Sequence, residues 1–211
     1  MNKLIFLSFG FIVICGICSG QHIEINDSKD WELSKEKDGI QIYNRSVEGS
    51  KLKEFLGITR IHASIETIID LINDVENKPN WMSNLASAKI IKKISDDEHI
   101  DYYESEIPWP IKNKDIVMHF KLEQEGDSGS IFINYWSVPD YIPEKENISR
   151  LKHAKGYFRL TSLENGITEL RYLVSSDPEI KLPAWALNKF MVEPPFQTLY
   201  NLRKLGEKVI N

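Results

Sequence analysis

The residues of this chain that could carry chemistry are a Gly-Asp-Ser-Gly tetrapeptide, five histidines, two cysteines and a few charges inside apolar segments. Gly126-Asp127-Ser128-Gly129 has the form of a nucleophilic-serine motif. Such a serine needs a base within hydrogen-bond reach and preformed donors for the oxyanion. Here the tetrapeptide follows Glu123 and Glu125 and joins two alternating segments, where a solvated hairpin turn belongs. It reads as a turn. His22, His62, His99, His119 and His153 fall one per segment, and no pair has the i, i+4 spacing that sets two imidazoles on one helix face. Cys15 and Cys18 both lie at the extreme N-terminus. No glycine-rich phosphate loop follows a strand, which removes nucleotide binding. Neither a metal nor a cofactor is expected.

The N-terminus is expected to be processed. Lys3 supplies a positive start, Leu4 to Cys18 is almost unbroken apolar sequence, and Cys18-Ser19-Gly20 puts small residues where a signal peptidase inspects. Residues 1–20 therefore read as a signal peptide with cleavage before Gln21, leaving a cysteine-free domain over 21–211 in the periplasm or outside the cell. Lipid attachment at Cys18 would want a small residue before it, and Ile17 is not one. The net charge of −5 argues against nucleic acid, which demands a basic face. It also argues against tight docking on anionic lipid, though brief membrane contact stays open, with Trp109 and Trp185 as candidates for it.

Groups such as these act only if regular elements hold them. Trp31 and Leu33 read as a short helical stretch ending at Asp38-Gly39. Ile40, Ile42 and then Leu52 to Ala63 alternate as two strands, with a turn at Glu48-Gly49-Ser50. Ser64 caps a helix in which Ile65, Ile68, Ile69 and Ile72 recur at helical spacing through Val75. Pro79 to Trp81 and a second short helix follow. From Lys89 the period becomes two, giving strands at about 89–95, 98–107, 114–124, 130–138, 151–163 and 167–176, with Asn165-Gly166 the strongest hairpin signal. Pro183 then opens an amphipathic helix from Ala184 to about Val209, which Pro194-Pro195 should kink or break. This order is α+β: a curved antiparallel sheet wrapped around a long C-terminal helix, with a cavity where sheet and helix do not fill the gap.

Four segments resemble the START family, the steroidogenic-acute-regulatory-related lipid-transfer domains. They are Trp31 to Arg45, Asn80 to Ile91, Tyr102 to Phe120 with its Pro-Trp-Pro turn, and Thr168 to Leu205. They occur in family order over nearly the whole domain. The resemblance implies the helix-grip fold and an enclosed lipid cavity. One departure is Lys114-Asp115 where the family carries Arg-Asp, so an ion pair there loses the planar guanidinium fork. A second is the short polar segment 139–150, in the region of the family's lid loop.

Strand parity selects candidate cavity residues. Met118, Phe120, Ile133, Tyr135, Tyr172 and Val174 lie mid-strand beneath the closing helix, from which Leu187, Met191 and Leu199 face them. Glu104 and Arg171 are the candidate polar groups. Inside the cavity they would have to satisfy one another, and otherwise they belong to the solvated outer face. The expected activity is non-catalytic binding or transfer of a lipid or other apolar small molecule by a monomer. A helix-grip cyclase or hydrolase using polar groups in the same cavity is the alternative. Asn26, Asn44 and Asn147 head N-x-S sequons whose use depends on the secretory route.

Overall fold

The computed structural model describes residues 30–46, 53–106, 113–126, 129–177 and 184–209, with side chains for all but Lys53 and residues 184–190. The expected signal peptide, the Glu48-Gly49-Ser50 turn, the Pro-Trp-Pro turn with Trp109, Asp127-Ser128 and Pro183 lie outside the described residues, as do the side chains of Trp185 and Leu187.

The strands are β1 (Glu32–Lys37), β2 (Ile40–Ser46), β3 (Lys53–Ile61), β4 (Leu85–Lys93), β5 (Glu98–Ser105), β6 (Lys114–Glu125), β7 (Ser130–Ser137), β8 (Ser149–Arg150), β9 (Ala154–Ser162) and β10 (Thr168–Ser176). They form one sheet in the order β1-β2-β3-β10-β9-β7-β6-β5-β4, with the short β8 beside β6. Every pairing is antiparallel except β6 with β8. Helix α1 (Ile65–Asn73) lies between β3 and β4, and α2 (Ala184–Lys208) closes the chain. This is the expected curved sheet gripping a C-terminal helix.

The helix at Trp31 that the sequence suggested is instead β1. Asp38 and Gly39 both take positive φ, 53° and 71°, and make a two-residue hairpin that pairs Lys37 with Ile40. Asp-Gly turns of this hand match the twist of paired strands, so the pair starts a hairpin rather than ending a helix. Ser64 does cap α1, its hydroxyl accepting from the Thr67 amide, and Ile65, Ile68 and Ile72 are buried. The second short helix expected after Trp81 does not form. A 3₁₀ helix over Val75–Asn80 precedes Trp81, containing Pro79, and β4 begins at Leu85.

Helix α2 runs unbroken through Pro194-Pro195. Two consecutive residues without an N–H leave the carbonyls of Phe190 and Met191 without their i+4 donors. Packing offsets that loss: Phe196, Leu199 and Leu202 are buried against the inner face of the sheet and α1. Gly57 is what lets the helix come so close, since a Cβ there would sit 2.5 Å from Leu199 Cδ1. Polar ties fasten the same half of the helix. Thr198 Oγ1 accepts from the Ser83 amide, Asn201 Nδ2 donates to the Trp81 carbonyl, and Arg203 donates to the Asp38 carbonyl. The helix sits mainly over β2, β3 and α1, offset from the middle of the sheet.

Candidate functional site

Along the inner face, one row of rings crosses six adjacent strands at right angles to the chain direction. Phe55 on β3 meets Tyr172 on β10 edge-on at 5.2 Å, and Tyr172 stacks on Phe158 of β9 at 4.4 Å. Phe158 meets Tyr135 of β7 at 5.7 Å, and Tyr135 meets Phe120 of β6 at 5.4 Å. Phe120 then stacks on His99 of β5 at 5.4 Å and takes Tyr103 edge-on at 6.0 Å. Strand register explains the row. Phe55 faces Val174, Tyr172 faces Phe158, and Tyr135 faces Phe120, so inward positions stay aligned from strand to strand. Offset and edge-on ring pairs each add about 0.5–1.5 kcal/mol to the area they bury.

Tyr135 is held within this belt by donating to the Leu173 carbonyl at 2.5 Å, and Gly156 beside it leaves no room for a Cβ. Burial pushes the Tyr135 and Tyr172 hydroxyls above the usual phenol range.

The belt ends at β5 on a buried polar cluster. Lys78, from the 3₁₀ helix, is 1% exposed; Asp101 is fully buried and Tyr103 nearly so. The Lys78 ammonium donates to the Tyr103 hydroxyl at 2.6 Å and lies 4.2 Å from the centre of the Phe120 ring. Tyr103 donates in turn to Asp101 Oδ2 at 2.6 Å, while Lys78 Nζ is 3.5 Å from that oxygen. His99 Nε2 lies 3.2 Å from Asp101 Oδ2 without an aligned hydrogen bond. Asp101 Oδ1 is buried with no hydrogen-bond partner. Burial lowers Lys78 to about 8, against the opposing pull of Asp101. Burial, and then the Asp101 charge, raise Tyr103 well above the usual phenol range.

Of the residues expected from sequence, Met118, Phe120, Ile133, Tyr135 and Leu199 are buried in the inner core, with Tyr172 and Val174 partly buried against it. Phe120, Tyr135 and Tyr172 belong to the belt itself. Met191 is half-buried on α2. Glu104 and Arg171 do not meet. Their strands stand four places apart, about 19 Å at the usual strand spacing. Both point to the outer face, where Glu104 is bound by Lys145 and the Tyr102 hydroxyl, and Arg171 by Glu169 at 3.1 Å.

Lys78, Asp101 and Tyr103 escaped the sequence reading because Ile100 and Tyr102 look like the inward set of β5. They form a small outer cluster with Val117 instead. The overlooked signal is that Phe120 faces His99 and Met118 faces Asp101 across β5–β6, which fixes the parity of β5 from that of β6.

Asp115 also finds a partner that sequence did not suggest. It is held by Arg150, the two being fully buried on the outer side, through Nε at 3.0 Å and Nη2 at 2.8 Å. Lys114 is its chain neighbour, but the planar fork comes from β8. Among the described residues no group of three His, Cys, Asp or Glu could hold a metal ion, and no helix is long and apolar enough to cross a membrane. A separate open cleft of about 460 Å³ lies at the ends of β7, β9 and β10, among Trp136, His153, Lys155, Ser175 and Asp177. None of the candidate cavity residues lines it.

A twisted sheet that wraps a C-terminal helix around an aromatic-lined interior defines a helix-grip protein. The START-domain family model matches residues 26–195, and the chain belongs to that family. An uncharacterised protein of Pseudomonas aeruginosa is 35% identical over 181 residues, covering 86% of this chain and 89% of that one. A crystal structure of a STAR-related lipid transfer protein fragment from Xanthomonas axonopodis is 34% identical with a TM-score of 0.76, covering 83% of this chain and 98% of that one. The phosphatidylcholine transfer protein of Rattus norvegicus is 24% identical, covering 75% of each chain.

Proposed function

We propose that this chain is an exported, non-catalytic lipid carrier. The ligand's hydrocarbon lies along the aromatic belt, and a hydrogen-bond-donating head sits against Asp101. The observation that carries this reading is Asp101 Oδ1, a buried carboxylate oxygen without a donor at the end of an otherwise apolar row. Leaving such a group unmatched costs about 1–3 kcal/mol or more, which a ligand hydroxyl, amide or ammonium recovers. A phosphate or carboxylate head would instead meet the Asp101 charge, since Lys78 is already engaged by Tyr103 and Asp101. Apolar burial, at roughly 25 cal/mol per Å², supplies the remaining driving force. The lipid-transfer relatives support a lipid ligand, while the head-group assignment rests on Asp101 alone.

Binding rather than turnover is favoured because the proton-bearing groups of the interior, Lys78 and Tyr103, are already engaged. Tyr103 holds its proton far above neutral pH, and the Lys78 ammonium is shared between a phenol, a carboxylate and a ring. Export rests on Lys3, the apolar run Leu4 to Cys18, and the small residues before Gln21.

Delipidated, folded protein titrated with fluorescent acyl alcohol, fatty acid and phospholipid tests the reading. The alcohol should bind most tightly, and Asp101→Asn should weaken it about tenfold, the usual worth of a hydrogen bond to a charged group. A folded protein that takes up none of the three probes rules out the carrier. Mass measurement of protein recovered outside the cytoplasm tests export, with a mature start at Gln21 expected.

A further inference from the structure

The sheet has two edges, and β4 forms one of them. Over residues 85–94 the sequence Leu-Ala-Ser-Ala-Lys-Ile-Ile-Lys-Lys-Ile holds three lysines and no acid, in a chain whose net charge is −5. Asp96 and Asp97 follow at the turn, and Lys93 pairs with Asp96 at 2.6 Å, which leaves Lys89 and Lys92 as the basic groups furthest from an acid. Lys89, Lys92 and Lys93 are all exposed. Ile90 and Ile94 stand among them, 47% and 44% exposed, two of the few large apolar side chains so open to water among the described residues. The register of β4 against β5 slips between Ile90 and Lys92. That bulge sends Ile91 to the outer apolar cluster while leaving Ile90 outside it.

Bulges and lysines on an edge strand oppose the addition of another strand, so a second β edge is a poor occupant. Lys89 and Lys92 project to the outer side of the edge, opposite Tyr102 and Ile100, and Ile90 projects to the inner side, opposite Asp101. An edge-on approach to a surface that is anionic at its face and apolar just beneath therefore engages both. We infer that the β4 edge docks on anionic lipid bilayers. The lysines meet the headgroups, and Ile90 and Ile94 enter the acyl boundary. The placement suits delivery: Ile90 is the cross-strand partner of Asp101, and Lys93 that of His99. The bilayer contact therefore lies one strand from the polar end of the interior.

The inference concerns docking and stands whether or not the head-group assignment holds. The full mature chain is tested by flotation with vesicles of phosphatidylglycerol in phosphatidylcholine, beside vesicles of phosphatidylcholine alone. Binding to the anionic vesicles is expected to exceed binding to the neutral ones and to weaken at high salt. Lys89→Glu with Lys92→Glu should lower anionic-vesicle binding about tenfold or more, given the worth of each basic residue near such a surface. Ile90→Thr with Ile94→Thr keeps β-branched residues in the strand and should weaken binding while leaving the melting temperature and the uptake of dispersed fluorescent alcohol unchanged. Equal binding by both variant pairs and the parent overturns the proposal. So does a dimer in sedimentation that the isoleucine variant abolishes. Lost uptake of the dispersed probe by the parent protein would count against the carrier reading alone.

Discussion

Two buried ion pairs lie on opposite faces of the same sheet, and they are finished to different degrees. On the outer face Asp115 and Arg150 saturate each other. Arg150 adds donations to the carbonyls of Pro139, Ile142 and Pro143, and Asp115 also accepts from the Tyr102 hydroxyl at 3.0 Å. On the inner face Lys78 and Asp101 stand 3.5 Å apart, with one carboxylate oxygen and one imidazole nitrogen unmatched. A pair that satisfies every valence fixes a segment, here 139–150 against β6. A pair with open valences in an apolar interior is what the proposed carrier reading requires for a third group. The difference separates structure from recognition more sharply than burial does, because both pairs are equally buried.

The largest effect should come from breaking the finished pair. Arg150→Met leaves Asp115 buried and alone, and denaturant unfolding should report a loss of about 3–5 kcal/mol. Restoring a charge with Arg150→Lys should recover little, because a single ammonium cannot reproduce the fork and the carbonyl contacts.

Next in size is the alkaline response of the inner pair. Lys78 is lowered to about 8 in the folded chain, below the ordinary lysine range near 10.5. Between those values the unfolded chain binds the extra proton, so stability should rise with pH, at up to about 1.4 kcal/mol per pH unit. The raised tyrosines reverse this trend above about pH 10, where the unfolded phenols ionise first. Lys78→Met should remove the rise between about 8 and 10. The outer pair should respond at the other end of the scale. Arg150 holds Asp115 below the usual carboxylate range despite burial, so its stabilisation is present above that range and lost as pH falls from it through the lower folded value. A stability profile flat on both flanks would remove the contrast.

A smaller effect on stability, with a larger one on binding, is expected when the inner pair is replaced whole. Lys78→Met with Asp101→Leu should leave stability unchanged or raise it by about 1–4 kcal/mol, while preference for a donor head in the probe titration disappears. Smallest of all, Lys145→Met removes a half-exposed ammonium from Glu104 and from the Tyr102 ring and should leave the melting temperature where it was.

Much of the architecture was legible because strand parity is a local property. The inward sets of β6, β7 and β10 follow from alternation alone, and Asn165-Gly166 gives its turn through two positive-φ residues. What was not legible depended on contacts between distant segments. Arg150 meets Asp115 across 35 positions, and the pairing exists only because β8 lies parallel to β6. Lys78 sits in a 3₁₀ turn beside Pro79, where no periodicity marks a buried side. On β5 an outer apolar cluster made the wrong face look like the core. Asp38-Gly39 carried a hairpin signal, but the polar lead before it hid the first strand.

The aromatic belt runs across the strands and not along them, so each of six strands supplies one or two of its rings. On the carrier reading proposed above, a change of ligand during descent would need no rewritten segment. Single substitutions on separate strands could alter the row one ring at a time, each leaving its own strand's alternation and pairing intact. Paralogues with different cargoes would look alike in any short window of sequence and differ mainly in this scattered set. On the proposed carrier reading, cargo should therefore track Phe55, Tyr172, Phe158, Tyr135, Phe120 and Tyr103 across the family more closely than it tracks overall similarity.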